Sequence, residues 1–293
     1  MRSTGSGTNT SLASANATSA AAAQASRLAA LVMDKYPAYW PETIRGLLTH
    51  SAEWTDTMLQ RLKKVNGKTD RKKLLREFGW GVPSENAVLN SGIGAVTLVS
   101  QDSFIPFTGD GYKMRNFRLH QLPWPTDVLE SLGETLVRLR VTLSYFIEPS
   151  ASRRGWSNKY SYASHGLRFD LQGSLERQDE FIHRVNREAW VEEAGSRVSE
   201  SGRWFLGERG RNLGSLHQDQ WTGTGAELAK CSNLAVYPVG GWWKNNNRKN
   251  RRDLPIRYVL ILSLQTEKQG IDLYTPIAAK LDIPVETQIL IEI

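Results

Sequence analysis

One cysteine, Cys231, is the whole thiol inventory of this 293-residue chain. An intramolecular disulfide is therefore impossible, and a cysteine-based zinc site is not expected. A lone thiol is compatible with a reducing compartment. No stretch of eighteen or more consecutive apolar residues occurs, so no membrane-spanning helix and no membrane partner are expected. Residues 1–16 are rich in Ser, Thr, Gly, Asn and Ala, with one arginine and no leucine-rich core. That is a poor signal peptide, and a cytoplasmic location is the expectation. The five histidines lack metal-ligand spacing, no carboxylate pair stands out, and Asp110, Asp170 and Asp219 are isolated. Neither a metal nor an organic cofactor is expected. The first eighteen residues contain neither aspartate nor histidine.

What is present reads as globular. The chain is 40% hydrophobic and 23% charged, and its ten tryptophans belong in a core or at a domain interface. The net charge of +7 favours solubility without naming a partner. The first part is helical: an alanine-rich helix over 19–35 ended by Pro37, a second starting at Trp40-Pro41-Glu42 and burying Ile44, Leu47 and Leu48, and a third over 70–78 closed by Gly79. The second part is β-rich. Residues 135–146 alternate, with Leu139, Val141, Leu143 and Tyr145 on one face and Arg138, Arg140, Thr142 and Ser144 on the other. Residues 256–264 alternate as well, and shorter strands are expected at 95–100, 166–171, 234–239 and 286–293. A helical pattern over 176–194 interrupts them. The fold class is α+β, with a helical piece over residues 1–92 and an antiparallel β-sandwich over 93–293. The boundary falls near Asn90–Gly94.

Seventeen residues separate Ser19 from Pro37, in Ala17-Thr18-Ser19 followed by an alanine-rich helix and Tyr36-Pro37. Downstream come Thr43-Ile44-Arg45-Gly46-Leu47-Leu48-Thr49-His50-Ser51-Ala52 and Phe78-Gly79-Trp80-Gly81-Val82-Pro83. Over about residues 14–92 these motifs resemble the nucleophile segment of the subtilisin-like serine proteases, the subtilase family. The resemblance implies the C-terminal, helical part of an α/β peptidase domain with an appended β-sandwich, and a serine endopeptidase acting on protein or peptide substrates. It makes Ser19 the catalytic nucleophile. Chemistry suits that place, because a helix N-terminus carries partial positive charge and free N–H groups that stabilise an oxyanion. In the family an aspartate, a histidine and an oxyanion asparagine precede the serine, and residues 1–18 hold no Asp or His. Ala17 stands at the family's glycine position, and Ala23 replaces a proline often found there. The chain is accordingly expected to be a truncated or split peptidase, incomplete and inactive alone, with an upstream fragment supplying Asp, His and Asn.

The structural alternative for Ser19 is an ordinary helix N-cap. Helices from the end of an α/β domain normally cover a parallel sheet. Residues 1–90 are thus expected to pack poorly or against the sandwich, with apolar surface exposed on the first helix. His50, His120, His165, His183 and His217 read as structural or surface residues, although Ser164 and Ser215 lie close to His165 and His217. The segment 240–252 joins Trp242 and Trp243 to five cations, a composition that suits phosphates and bases. Being short and Asn-rich, it reads as a solvated hairpin loop with its tryptophans turned inward, as does the basic run 61–76 as a solvated helix and linker. Nucleic acid is not the expected partner. Residues 221–225 read as a Gly-rich loop lacking a phosphate-binding lysine. The competing functional reading is a catalytically inactive interaction module whose β-sandwich binds protein or nucleic acid.

Overall fold

A computed structural model describes residues 2–3, 13–14, 17–89, 95–107, 115–150, 163–190, 202–245, 251, 253–266, 268, 271 and 286–290. The short strands β1 (Arg2–Ser3) and β2 (Ala13–Ser14) pair antiparallel. A helical layer follows: α1 (Thr18–Lys35), α2 (Pro41–His50), β3 (Ala52–Glu53), α3 (Asp56–Leu62), α4 (Gly67–Phe78), β4 (Val82–Pro83) and α5 (Glu85–Leu89). The rest runs β5 (Ala95–Phe104), β6 (Asn116–Gln121), α6 (Thr126–Leu132), β7 (Leu136–Ser144), β8 (Gly166–Leu171), α7 (Gln178–Trp190) and α8 (Glu208–Arg211). It ends with β9 (Leu216–Thr224), α9 (Gly225–Ala229), β10 (Asn233–Val239), α10 (Trp242–Asn245), β11 (Ile256–Thr266) and β12 (Glu286–Leu290). The fold is α+β.

Two four-stranded antiparallel sheets, ordered β5-β11-β7-β9 and β12-β6-β10-β8, share one hydrophobic core. Leu139, Val141 and Leu143 of β7 and Tyr258, Leu260 and Leu262 of β11 enter it from one sheet. Phe117, Leu119, Phe169, Leu234 and Val236 enter it from the other. The alternation in β7 thus places its apolar residues as expected. Its polar face is the surprise. Arg140, Thr142 and Ser144 are buried as well. The helical layer lies on them.

That docking rests on α2. Pro41 occupies its first turn, and Leu47 is buried while Ile44 and Leu48 pack at the margin of the same cluster. Val32, Leu47 and Val88 form a second apolar cluster with Val259 and Ile261 of β11. Gly46 lets the helix approach closely, because a Cβ there would sit 2.8 Å from Ile261 Cδ1 and 3.3 Å from Ser144 Cβ. Polar anchors surround this contact. Arg45 donates to Ser144 Oγ (3.1 Å), Tyr145 O (2.7 Å) and Ser215 O (2.7 Å), and lies over the Phe146 ring. Buried Glu42 pairs with Arg257 at 3.0 Å. Gln101 of β5 accepts from Trp40 N and Thr43 Oγ1. Residues 17–89 therefore pack against the outer face of the sheet rather than loosely, although Ala21–Ala23, Ala25 and Met33 of α1 remain exposed.

Several sequence expectations shift in detail. Residues 221–225 are no loop: they end β9 and start α9, where Thr224 and Glu227 form a capping box. Strand β6 and helices α3 and α6 were not foreseen from periodicity, being seven residues or shorter. The expected helix over 176–194 runs Gln178–Trp190 among the described residues. The junction 90–94 lies outside the described residues, as do 246–250 and 252 of the basic segment. Trp242 and Trp243 of that segment are buried, with Trp243 Nε1 donating to Glu148 Oε2 at 2.9 Å.

Gly46→Leu should wedge α2 off the sheet. Urea unfolding should show a loss of about 1–3 kcal/mol, the usual range for overpacking.

Candidate functional site

Helix α1 forms because alanine, the strongest helix former, fills seven of its eighteen positions and no proline interrupts it. Its C-terminal half carries the anchors. Leu28 and Val32 are buried, Arg27 pairs with Glu85 at 2.6 Å, and Tyr36 OH donates to Leu89 O at 2.8 Å. Tyr36 stacks on Tyr39 with ring centroids 4.8 Å apart, just across Pro37. The N-terminal half projects past this contact.

Ser19 sits in that projecting first turn and is exposed. The N-cap is Ala17, in extended conformation (φ −153°, ψ 147°), so Ser19 is the second helical residue and not the cap. Ala17 O accepts from Ala20 N (3.1 Å) and Ala21 N (3.2 Å). The Thr18 and Ser19 N–H groups have no acceptor inside the helix by geometry. Among the described residues, none bonds the Ser19 hydroxyl or N–H. An accessible hydroxyl and a free N–H thus share the positive end of an eighteen-residue helix. The φ of Ala17 is extended, so alanine sits there without backbone strain.

None of the histidines reaches this end. All five histidines lie within the described residues. His50 Nδ1 meets Thr142 Oγ1 at 2.8 Å beneath α2. His120 Nε2 meets Tyr258 OH at 2.8 Å. His165 Nδ1 bonds Ser164 Oγ at 2.9 Å, and its ring packs beside Tyr145 and Trp243. His217 Nε2 donates to Gly214 O at 3.0 Å, not to Ser215. These four are buried. His183 lies on α7, which packs on β10 of the far sheet. None of them bonds Ser19.

Two of the aspartates that look isolated in sequence, Asp170 and Asp219, share Arg211, and Asp110 lies outside the described residues. Asp219, with 0% exposure, accepts from the N–H groups of Leu206, Gly207 and Gln220, each at 2.9 Å, and faces Arg211 at 3.7 Å. Arg211 also reaches Asp170, which pairs with Arg184. Burial pushes the Asp219 carboxyl above its ordinary range, against the pull of Arg211 and the three amides. Arginine fills this cluster where a cation would sit. Among the described residues no group of His, Cys, Asp and Glu could hold a metal ion, and no helix is long and apolar enough to cross a membrane.

Burial also holds His120, His165 and His217 down at about 4, and His50 well below its ordinary value, with Arg140 adding to the effect there. Unfolded histidines titrate near ~6.5. Between about pH 4 and 6.5 the unfolded chain therefore binds more protons, and stability rises with pH across that window. At pH 5, unfolding should take up roughly three to four protons through these rings. The slope of unfolding free energy against pH measures this, and His217→Gln should lower it by about one proton.

Residues 2–81 match the model of the Subtilase family. No curated protein and no solved structure matches the chain. The matched stretch includes β1, β2 and α1 to α4, with Ser19 and the α2 docking surface inside it, and is similar to a family of serine peptidases.

Proposed function

We propose that the chain is the nucleophile-bearing portion of a subtilisin-like serine endopeptidase, with Ser19 as the catalytic residue and proteins or peptides as substrates. The match of residues 2–81 carries this reading. The exposed hydroxyl of Ser19, beside a free N–H at a helix N-terminus, supports it. Residues 1–92 are the peptidase portion and 93–293 a β-sandwich packed against it. No organic cofactor and no metal enters the reaction.

In this reading Ser19 Oγ attacks the scissile carbonyl carbon, and a histidine takes its proton. The carbonyl oxygen becomes an oxyanion facing the Ser19 N–H and an asparagine amide. Collapse breaks the C–N bond as the histidine returns the proton to the leaving amine, and water then hydrolyses the acyl-serine. The histidine is not one of the five in this chain, since none reaches Ser19. An accompanying fragment supplies it, with the aspartate that orients it and the asparagine.

The same engagement of the histidines elsewhere favours one alternative, an inactive interaction module whose β-sandwich binds protein or nucleic acid. A fluorophosphonate probe separates the two. The chain alone should stay unlabelled. Addition of a fragment bearing the family's Asp, His and Asn should bring labelling that Ser19→Ala abolishes. Because Ser19 is exposed and caps nothing, Ser19→Ala should change unfolding free energy by less than about 0.5 kcal/mol. Labelling of the chain by itself would overturn the incomplete site. Failure to label with a folded complement would favour the interaction module.

A further inference from the structure

We propose that a cavity beside β5 binds a small organic molecule presenting an N–H or O–H donor on a mainly apolar body. The cavity has a volume of about 430 Å³ and is partly open to solvent. Leu98, Leu122, Pro123, Leu260 and Leu262 make its walls apolar, and His120 contributes a buried polar group. This volume and this mixture match the ordinary small-molecule site, in which apolar walls supply area and few polar groups set orientation.

A four-residue hydrogen-bond chain fixes what His120 can offer. Arg118 Nε bonds Asp102 Oδ2 at 2.6 Å, and Tyr258 OH donates to the same oxygen at 3.1 Å. His120 Nε2 lies 2.8 Å from that hydroxyl. The tyrosine has one proton. With that proton on the Asp102 carboxylate, its oxygen can only accept from His120, so Nε2 carries the ring proton. Nδ1 is then a bare lone pair, and no described residue donates to it. Burial keeps the ring neutral, at about 4. The residue as a whole is only 3% exposed, and the open cavity is the side from which a small molecule reaches it. A ligand N–H or O–H can pair with this acceptor.

The chain is assembled from β5, β6 and β11, so the two sheets together set the orientation of the ring. Tyr39, Thr97, Ser100, Gln101 and Gln121 also belong to the lining, which carries no ionised side chain to offset the desolvation of a charged ligand. The site shares no residue with α1, and the proposal stands apart from the peptidase reading.

Phenol and anisole test it, being one ring with and without the donor proton. In protein labelled with ¹⁵N at histidine, the free His120 should show a protonated Nε2 and a bare Nδ1. Phenol should bind saturably with a dissociation constant on the order of 1–10 mM, as befits seven heavy atoms. It should move the Nδ1 resonance, and anisole should bind at least about tenfold more weakly. His120→Leu should erase that preference, and His120→Asn, which keeps an acceptor at the Nδ1 position, should restore it. Leu98→Trp, which fills the cavity from its rim, should abolish both. A proton on Nδ1 in the free protein, no saturable phenol binding, or equal binding of the two probes would each overturn the proposal. These wild-type measurements decide it even where a variant fails to fold.

Discussion

Arg140 sits where the two halves of this molecule meet, and their joining depends on satisfying it. Its side chain projects from the middle of β7 away from the main core and is only 3% exposed. A buried guanidinium needs its donors occupied. Arg140 Nη1 bonds His50 O at 2.5 Å and Ala52 O at 3.0 Å, and Nη2 bonds Glu53 Oε1 at 2.7 Å. With its amide oxygen turned inward, Gln220 of β9 accepts from Nε at 3.1 Å. The two carbonyls belong to the end of α2 and the start of β3, where a helix leaves its last acceptors free. One side chain thus caps a helix, ties it to the sheet and satisfies its own charge. Each hydrogen bond to a charged donor contributes about 1.5–3 kcal/mol, which is enough to offset a large part of the desolvation.

The rest of the docking surface follows from that geometry. With α2 held at its C-terminus, Gly46 can lie against Ile261, and Arg45 can reach the end of β7. The sheet β5-β11-β7-β9 is then covered on both faces. That is why β11 reads as an almost continuous buried run from Ile256 to Leu264, broken by Arg257. Antiparallel sheets commonly leave one face to water. Here the second face instead supports α1, α2 and α5, and through them the projecting turn that carries Ser19. The helical layer has a full-sized apolar partner, so its stability does not require a parallel sheet beneath it.

Much of this was legible in residue patterns. The spacing from Ser19 to Pro37 marked α1, and the proline at Pro41 and the glycine at Gly79 marked helix ends, because each effect is local to a turn or less. Alternation located β7 and β11, and short runs between turn residues located β5, β8, β10 and β12. It could not say what covered the polar face of β7, since Arg, Thr and Ser suit water and a hydrogen-bonded interface equally. Trp221-Thr222-Gly223-Thr224-Gly225 looked like a loop because glycine and threonine dominate it. Its first four residues are extended all the same, paired along β7 from Leu136 to Leu139, and Gly225 begins α9. His120, Tyr258 and Asp102 gave no signal at all, lying on three separate strands.

By itself the sequence determined the character of each segment: an alanine-rich helix with a serine in its first turn, two-faced strands, one thiol, and a likeness to the Subtilase family over residues 2–81. Those properties depend on neighbours a few residues apart. The tertiary structure decided which faces meet. It put the helical layer on the polar side of β7, spent four histidines on internal contacts, and left the Ser19 hydroxyl at an open helix end. Such outcomes depend on burial and on pairing across more than a hundred residues, as between Glu42 and Arg257. No local pattern contains that information, because it arises only when distant polar groups must share one desolvated interface.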